Sequence, residues 1–159
     1  ARPRGTAVHA LLEHLQGAPV EARAALAARL LGEDAPDLLA EASAVLDSDA
    51  LAFLFGPDSL AEVDVAAPIA SGRILGRIDR LVVAADRVLA VDFKSNRAVP
   101  ERPEDVPEGI LRQLGAYRAA LAPIWPGRTV AVAVLWTRTA ELMPVPAPLA
   151  DAAFARAVS

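Results

Sequence analysis

The fold turns on two stretches, Gly76-Arg77-Ile78-Asp79-Arg80-Leu81 and Val91-Asp92-Phe93-Lys94-Ser95-Asn96. Two runs rich in Ile, Leu and Val, Arg73 to Val83 and Arg87 to Ser95, flank Ala84-Ala85-Asp86-Arg87. So short a connection predicts an antiparallel hairpin, although the Asn-Gly or Asp-Gly pair of the commonest tight turns is missing. With Ala85-Asp86 as the loop, Ala84 faces Arg87, and by the same count Asp79 faces Asp92. Facing Cβ atoms lie roughly 5 Å apart, where like charges repel. Asp92 and Lys94 are two apart on one strand and so share a face. The pattern gathers two carboxylates and an ammonium at one point. That is a donor set for a hard divalent cation with a nucleophilic water beside it. Lys94 is also the only lysine among 16 Lys plus Arg. A compact ammonium whose pKa can move suits that chemistry better than the planar guanidinium used elsewhere.

Outward from the hairpin, the chain of 159 residues fits one domain with a real core. Hydrophobic residues make up 54% of it, which argues against extended disorder. Cysteine is absent, so no disulfide framework, zinc ribbon or iron–sulfur cluster can form. No apolar run approaches the roughly 20 residues of a membrane span, and no signal-peptide pattern opens the chain. Net charge is −4, which counts against strong autonomous DNA binding and leaves basic surface to a partner or to the rest of a longer chain. Ala1 stands where a Met would begin a gene product, so a piece of a longer protein is expected.

In order, Arg2 and Arg4 give a basic start expected to fray. Thr6 reads as the cap of a helix from Ala7 to Gln16, with Val8, Leu11, Leu12 and Leu15 as its apolar stripe and His9 and Glu13 beside it. A second helix is predicted from Pro19 or Val20 to Leu31. A third starts near Asp34-Ala35-Pro36 and buries Leu38, Leu39, Ala42, Val45 and Leu46. Asp47 to Phe55 reads as a short helix, ended by Gly56-Pro57-Asp58-Ser59. Ser59 to Ile69 is a strand with Glu62 and Asp64 on the parity opposite to Val63 and Val65. Both faces of the second hairpin strand are apolar, so helices should cover both. A Pro-rich acidic loop with Glu101, Glu104 and Asp105 follows Asn96 and is the segment expected to move. Val106 or Glu108 to Leu121 is a helix with Gln113 and Tyr117 one turn apart on its edge. Thr129 to Trp136 is a buried strand, Ala140 to Val145 an edge strand, and Pro148 to Val158 a closing helix. The fold class is α/β or α+β, a mixed sheet flanked by helices. Residues 1–55 form a helical part, 59–145 a sheet core with the helix over 107–121, and 148–158 a closing helix.

Asp79, followed thirteen positions on by Asp92-Phe93-Lys94, resembles the PD-(D/E)xK nuclease motif. Gly5-Thr6-Ala7-Val8-His9, Gly76-Arg77-Ile78-Asp79 and Gln113-Leu114-Gly115-Ala116-Tyr117 in this order are similar to the RecB-like branch of that restriction-endonuclease-like fold. Within the branch the resemblance is to C-terminal nuclease domains of the AddA type. These belong to bacterial helicase–nucleases that process DNA double-strand breaks. The resemblance implies that Asp79 and Asp92 bind Mg²⁺ or Mn²⁺ with the Phe93 carbonyl and His9, and that Lys94 orients or activates the attacking water. It implies supporting roles for Gln113 and Tyr117, and for Glu62 on the first core strand. It also implies single-stranded DNA as substrate, an AddB-like partner subunit, ATP used only by the rest of the parent chain, and a bacterial cytoplasmic setting. The missing cysteines fit the branch without an iron–sulfur cluster.

Plainer readings stand beside these. Asp79 can pair with Arg77 or Arg80, His9 can be a packed hydrogen-bonding residue, and Glu62 can face solvent. Gln113 and Tyr117 can be a structural pair. Arg97, Arg112 and Arg118 are either phosphate contacts or solvated surface. At the level of function, the alternatives are a non-catalytic module of this fold that docks a partner or guides DNA, and another RecB-like nuclease.

Overall fold

The computed structural model describes residues 3–159, so Arg2 lies outside the described residues. Between residues 4 and 55 the chain is mostly helical. Helix α1 is Arg4–Leu15, α2 is Arg23–Leu31 and α3 is Ala35–Leu46, with 3₁₀ turns at Val20–Ala22, Gly32–Asp34 and Asp49–Phe55. Strands β1 (Ser59–Ile69), β2 (Gly72–Val83) and β3 (Arg87–Lys94) follow. Then come α4 (Glu108–Leu121), β4 (Thr129–Trp136), β5 (Glu141–Val145) and α5 (Ala147–Val158). Among the described residues no helix is long and apolar enough to cross a membrane.

The sheet is mixed, in the order β1-β2-β3-β4-β5. All neighbours are antiparallel except β3 and β4, which run parallel with α4 as the crossover between them. The β2–β3 register is the one the turn implies. Ala84 donates its N–H to the Arg87 carbonyl at 2.9 Å, and Leu81 pairs with Ala90 and Arg80 with Val91. Both faces are covered, as the apolar runs demand. Leu89, Val91, Phe93, Ala133 and Leu135 pack under α1 to α3. Val88, Ala90, Val130, Val132, Val134 and Trp136 pack under α4 and α5. Helices α4 and α5 approach closely because Gly115 has no side chain, and a β-carbon there would collide with the Ala150 carbonyl.

Several boundaries differ from the expectations. Helix α1 begins at Arg4, not after Thr6. Pro3 is its cap with no side-chain bond, and its carbonyl accepts the Ala7 N–H at 3.0 Å. Proline is suited to that place because its φ is already near the helical value. Arg4 is not frayed but hydrogen-bonded to Glu41 of α3. The second helix is a 3₁₀ turn leading into α2, and Asp49–Phe55 is 3₁₀. Within the Pro-rich loop, Pro103–Asp105 forms a 3₁₀ turn, and Val106 behind it is buried against α4 and β4.

Candidate active site

The site is built on a notch in the sheet. β1 and β2 keep one register along their length, from Ser59↔Val82 to Ala61↔Arg80 and again from Val63↔Ile78 to Ile69↔Gly72. Between these runs Glu62 and Asp79 fall opposite each other and form no pair. Glu62 has φ +56°, in the left-handed region that a β-carbon disfavours. The strands change faces there. Ile78 and Leu81, three residues apart, both pack under α4, where strict alternation would separate them. At the same level β2 leaves β3, the last pair being Arg80↔Val91.

The gap lets the Asp79 side chain do what a backbone carbonyl would do. Its Oδ2 accepts the Phe93 N–H at 2.7 Å. Across from it, Asp92 is 2% exposed, and its Oδ2 is buried without a hydrogen bond. Lys94 Nζ stands 3.2 Å from that oxygen. The two observations agree once direction is considered, since the ammonium is within ion-pairing range but off the line a hydrogen bond requires. Burial pushes the Asp92 carboxyl up to about 7; Lys94 pulls it down and Asp79 pushes it up again. Asp79 moves the other way. Burial raises it, but the His9 hydrogen bond and charge outweigh burial, and Asp92 and the Phe93 N–H add to that pull, so its carboxyl sits below the ordinary range.

His9 projects from α1 into the notch. Its Nε2 lies 2.9 Å from the Phe93 carbonyl and its Nδ1 lies 3.3 Å from Asp79 Oδ1. Both ring nitrogens face acceptors, an arrangement that favours the doubly protonated ring. Burial works against that charge, but the bonds to Asp79 and Phe93 and the field of Asp92 prevail, so the His9 pKa is raised. The imidazole thus sits between two oxygens, of Asp79 and Phe93, that the family resemblance assigns to a metal ion.

The residues fit such an ion by donor chemistry. Two adjoining carboxylates, one with a buried unbonded oxygen, stand beside a main-chain carbonyl, and the fold offsets their repulsion by the Lys94 ammonium, the His9 imidazole and a raised Asp92 pKa. Among the described residues no three His, Asp or Glu side chains form a metal cluster as they stand. The Phe93 carbonyl would add an oxygen donor to the two carboxylates, with waters completing the shell, and His9 adjoins it.

The other expected residues have plain positions. Glu62 borders a small pocket together with His9, Glu13 and Asp79, and its carboxylate lies 3.5 Å from Arg77. Gln113 Nε2 donates to the Tyr117 hydroxyl at 2.8 Å, and that hydroxyl donates to the Arg77 carbonyl at 2.7 Å. The pair braces the strand that carries Asp79 and does not bond to either acid. Burial, then the charges of Asp92 and Asp79, push the Tyr117 hydroxyl well up, so it stays protonated. Arg77 bonds Asp64, and Arg80 bonds Gln16 and Ser59, so neither is the partner of Asp79. Arg118 pairs with Asp151 and bonds the Val130 carbonyl, which removes it from the candidates for phosphate contact. Sequence reasoning missed the left-handed Glu62 and the change of faces. The available signal was the spacing of Ile78 and Leu81, two large apolar residues three apart inside a strand.

No curated protein matches the chain. Among solved structures it is similar to the crystal structure of SSO0001, at 14% identity and TM-score 0.42, over 95% of this chain and 85% of that one. Residues 1–155 match the family described as the PD-(D/E)XK nuclease superfamily. With the acid pair and its lysine on a mixed five-stranded sheet flanked by helices, and that match over nearly its whole length, the chain belongs to the PD-(D/E)XK nuclease superfamily.

Proposed function

We propose that this domain hydrolyses phosphodiester bonds of single-stranded DNA with Mg²⁺ or Mn²⁺. We place it as the nuclease part of an AddA-type helicase–nuclease of the bacterial cytoplasm, with an AddB-like partner and ATP used only by the rest of the parent chain. The observation that carries the reading is the meeting of Asp79, Asp92 and Lys94 at the notch, with one carboxylate oxygen left unbonded.

Asp79, Asp92 and the Phe93 carbonyl would hold the ion, with His9 beside them. When bound, Mg²⁺ or Mn²⁺ would supply positive charge at the phosphate and lower the pKa of a neighbouring water, so that losing a proton to solvent leaves it a stronger nucleophile. Asp92 must give up the proton that burial favours before it can serve as a ligand. Lys94, its side chain 28% exposed against 3% for Asp92, reaches from the buried acid toward solvent. There its ammonium can orient the water and offset charge on the non-bridging phosphate oxygens. For His9 Nε2, 2.9 Å from the Phe93 carbonyl, to serve as a ligand it must be unprotonated.

Cleavage of labelled single-stranded DNA in Mn²⁺ tests the reading against Asp79→Ala and Asp92→Ala, with Mn²⁺ binding followed by calorimetry. Loss of about a hundredfold or more in rate, together with loss of Mn²⁺ affinity, is expected. A wild-type domain that neither binds Mn²⁺ nor cuts would favour the docking-module alternative.

A further inference from the structure

A groove of about 230 Å³ is lined in part by Tyr117 and includes none of Asp79, Asp92 and Lys94. Its walls are Val65, Ile74 and Leu75 of the β1–β2 hairpin and Ala116 and Phe154 of α4 and α5, with Gly76 as part of the floor. Leu75 is 71% exposed although it is a large apolar residue. A β-carbon on Gly76 would stand 3.3 Å from Cε1 of Tyr117 and narrow the floor. Arg112 on the first half of α4 is the only charged residue lining the groove; it feels Glu108 one turn before it, but among the described residues Glu108 pairs instead with Arg156 and Arg112 forms no ion pair.

We infer that this groove receives one unstacked nucleobase of the strand being cut, with Arg112 on a flanking phosphate. The inference rests on the proposed hydrolysis of single-stranded DNA and adds a subsite to it. A nucleotide is a flat apolar ring beside an anion, and the groove offers apolar walls beside a free cation. Bases of a single strand are available for such insertion, whereas those of a duplex are stacked and paired. The groove is joined to the chemistry by one bond. Tyr117, buried behind the groove, donates its hydroxyl to the Arg77 carbonyl, two residues before Asp79, so the groove backs onto the brace of the strand that presents the acid. A second cavity, bounded by Trp136, Leu142 and Met143, carries Glu101 and Glu141 and no cation, and so suits a polyanion less.

Binding of a short labelled oligo-dT to the wild-type chain in EDTA, where nothing is cut, is measured with a single abasic site moved along the strand. One abasic position should weaken binding by about tenfold, the effect of losing one stacked base. Ala116→Leu, which fills the groove, should erase that position-specific loss. Arg112→Gln, an exposed change that the fold can absorb, should reduce the slope of log affinity against log salt by about 0.7. A flat abasic scan in a protein that still cuts DNA with Mn²⁺ overturns the subsite alone, and is the result expected if the groove instead takes an apolar side chain of a protein partner. A position-specific loss without any cutting supports the subsite and overturns the hydrolase reading. Absence of DNA binding by a folded protein that still cuts with Mn²⁺ overturns the subsite, and absence of both binding and cutting overturns both readings.

Discussion

The two faces of the sheet handle charge differently. Under α1 to α3, the notch is met by His9, whose imidazole bonds Asp79 and the Phe93 carbonyl together. Under α4 and α5, Asp92 and Lys94 share the face of Val88 and Ala90, and on neighbouring α4 Gln113 donates to the Tyr117 hydroxyl, which in turn donates to the Arg77 carbonyl and not to the acids. One face thus supplies an imidazole and the other an ammonium, with a neutral brace. The difference teaches that the acid pair is reached from both faces only where β2 separates from β3. Deeper in the sheet, each face is closed by apolar packing.

The contrast breaks most sharply on the α4 face. Lys94→Ala should lower kcat by about a hundredfold, as removal of a single electrostatic stabiliser does. Tyr117→Phe should leave kcat within a few-fold while lowering Tm, because its hydroxyl braces Arg77 and touches neither acid. Equal losses in kcat would show that the brace takes part in the chemistry.

On the α1 face, His9→Ala should weaken Mn²⁺ binding by roughly tenfold or more at pH 7.5, and Gln113→Ala should not change it. Calorimetric titration of both variants separates the faces.

The next effect lies in pH. The folded Asp92 keeps its proton up to about 7, while its unfolded counterpart has lost it above about 3.8. In that window the native state holds more protons than the unfolded one, so stability falls as pH rises. His9, with a raised pKa, adds stability that is complete below the ordinary histidine value and is lost as pH climbs through the folded one. Asp79, lowered, acts in the reverse sense and only as pH falls below the ordinary carboxylate value. The metal-free protein should therefore melt at progressively lower temperature from pH 5 to pH 8. Asp92→Asn should flatten most of that slope and melt higher than wild type at pH 8. A wild-type Tm that rises across this range would sink the account. With Mn²⁺ present the trend should weaken, because metal affinity grows as the ligands lose protons.

The smallest effect concerns Glu62. Glu62→Gly removes a left-handed backbone penalty of roughly 1 kcal/mol, part of which glycine's greater freedom in the unfolded chain takes back. A Tm within about 4 °C above wild type is expected. A clear loss of Tm would mean that the Glu62 side chain, and its contact with Arg77, outweighs the backbone strain.

Much of this was legible in the chain itself. The short Ala84–Arg87 turn and the alternation on either side of it set the hairpin register, since a slip by one residue would turn every buried side chain outward. That register placed Asp79 beside Asp92, and the two-residue period placed Lys94 with Asp92. The apolar runs at 88–93 and 130–135 required helices on both sides, and the structure has them. Glu62 was not legible in this way. A glutamate between Ala61 and Val63 reads as an ordinary solvent-facing strand residue, and nothing local demands a positive φ. Arg118 was equally opaque, because its partner Asp151 lies on a helix far along the chain.

The sequence by itself determined the strands, their order along the hairpin and the pairing of two acids with the single lysine, because turns and side-chain periodicity act over a few residues. The tertiary structure decided which face each acid answers to, that His9 arrives from another layer to bond Asp79 and Phe93, and that the Asp92 carboxyl is pushed up to about 7. Those outcomes depend on burial and on charges brought together from distant segments, and neither exists until the layers pack.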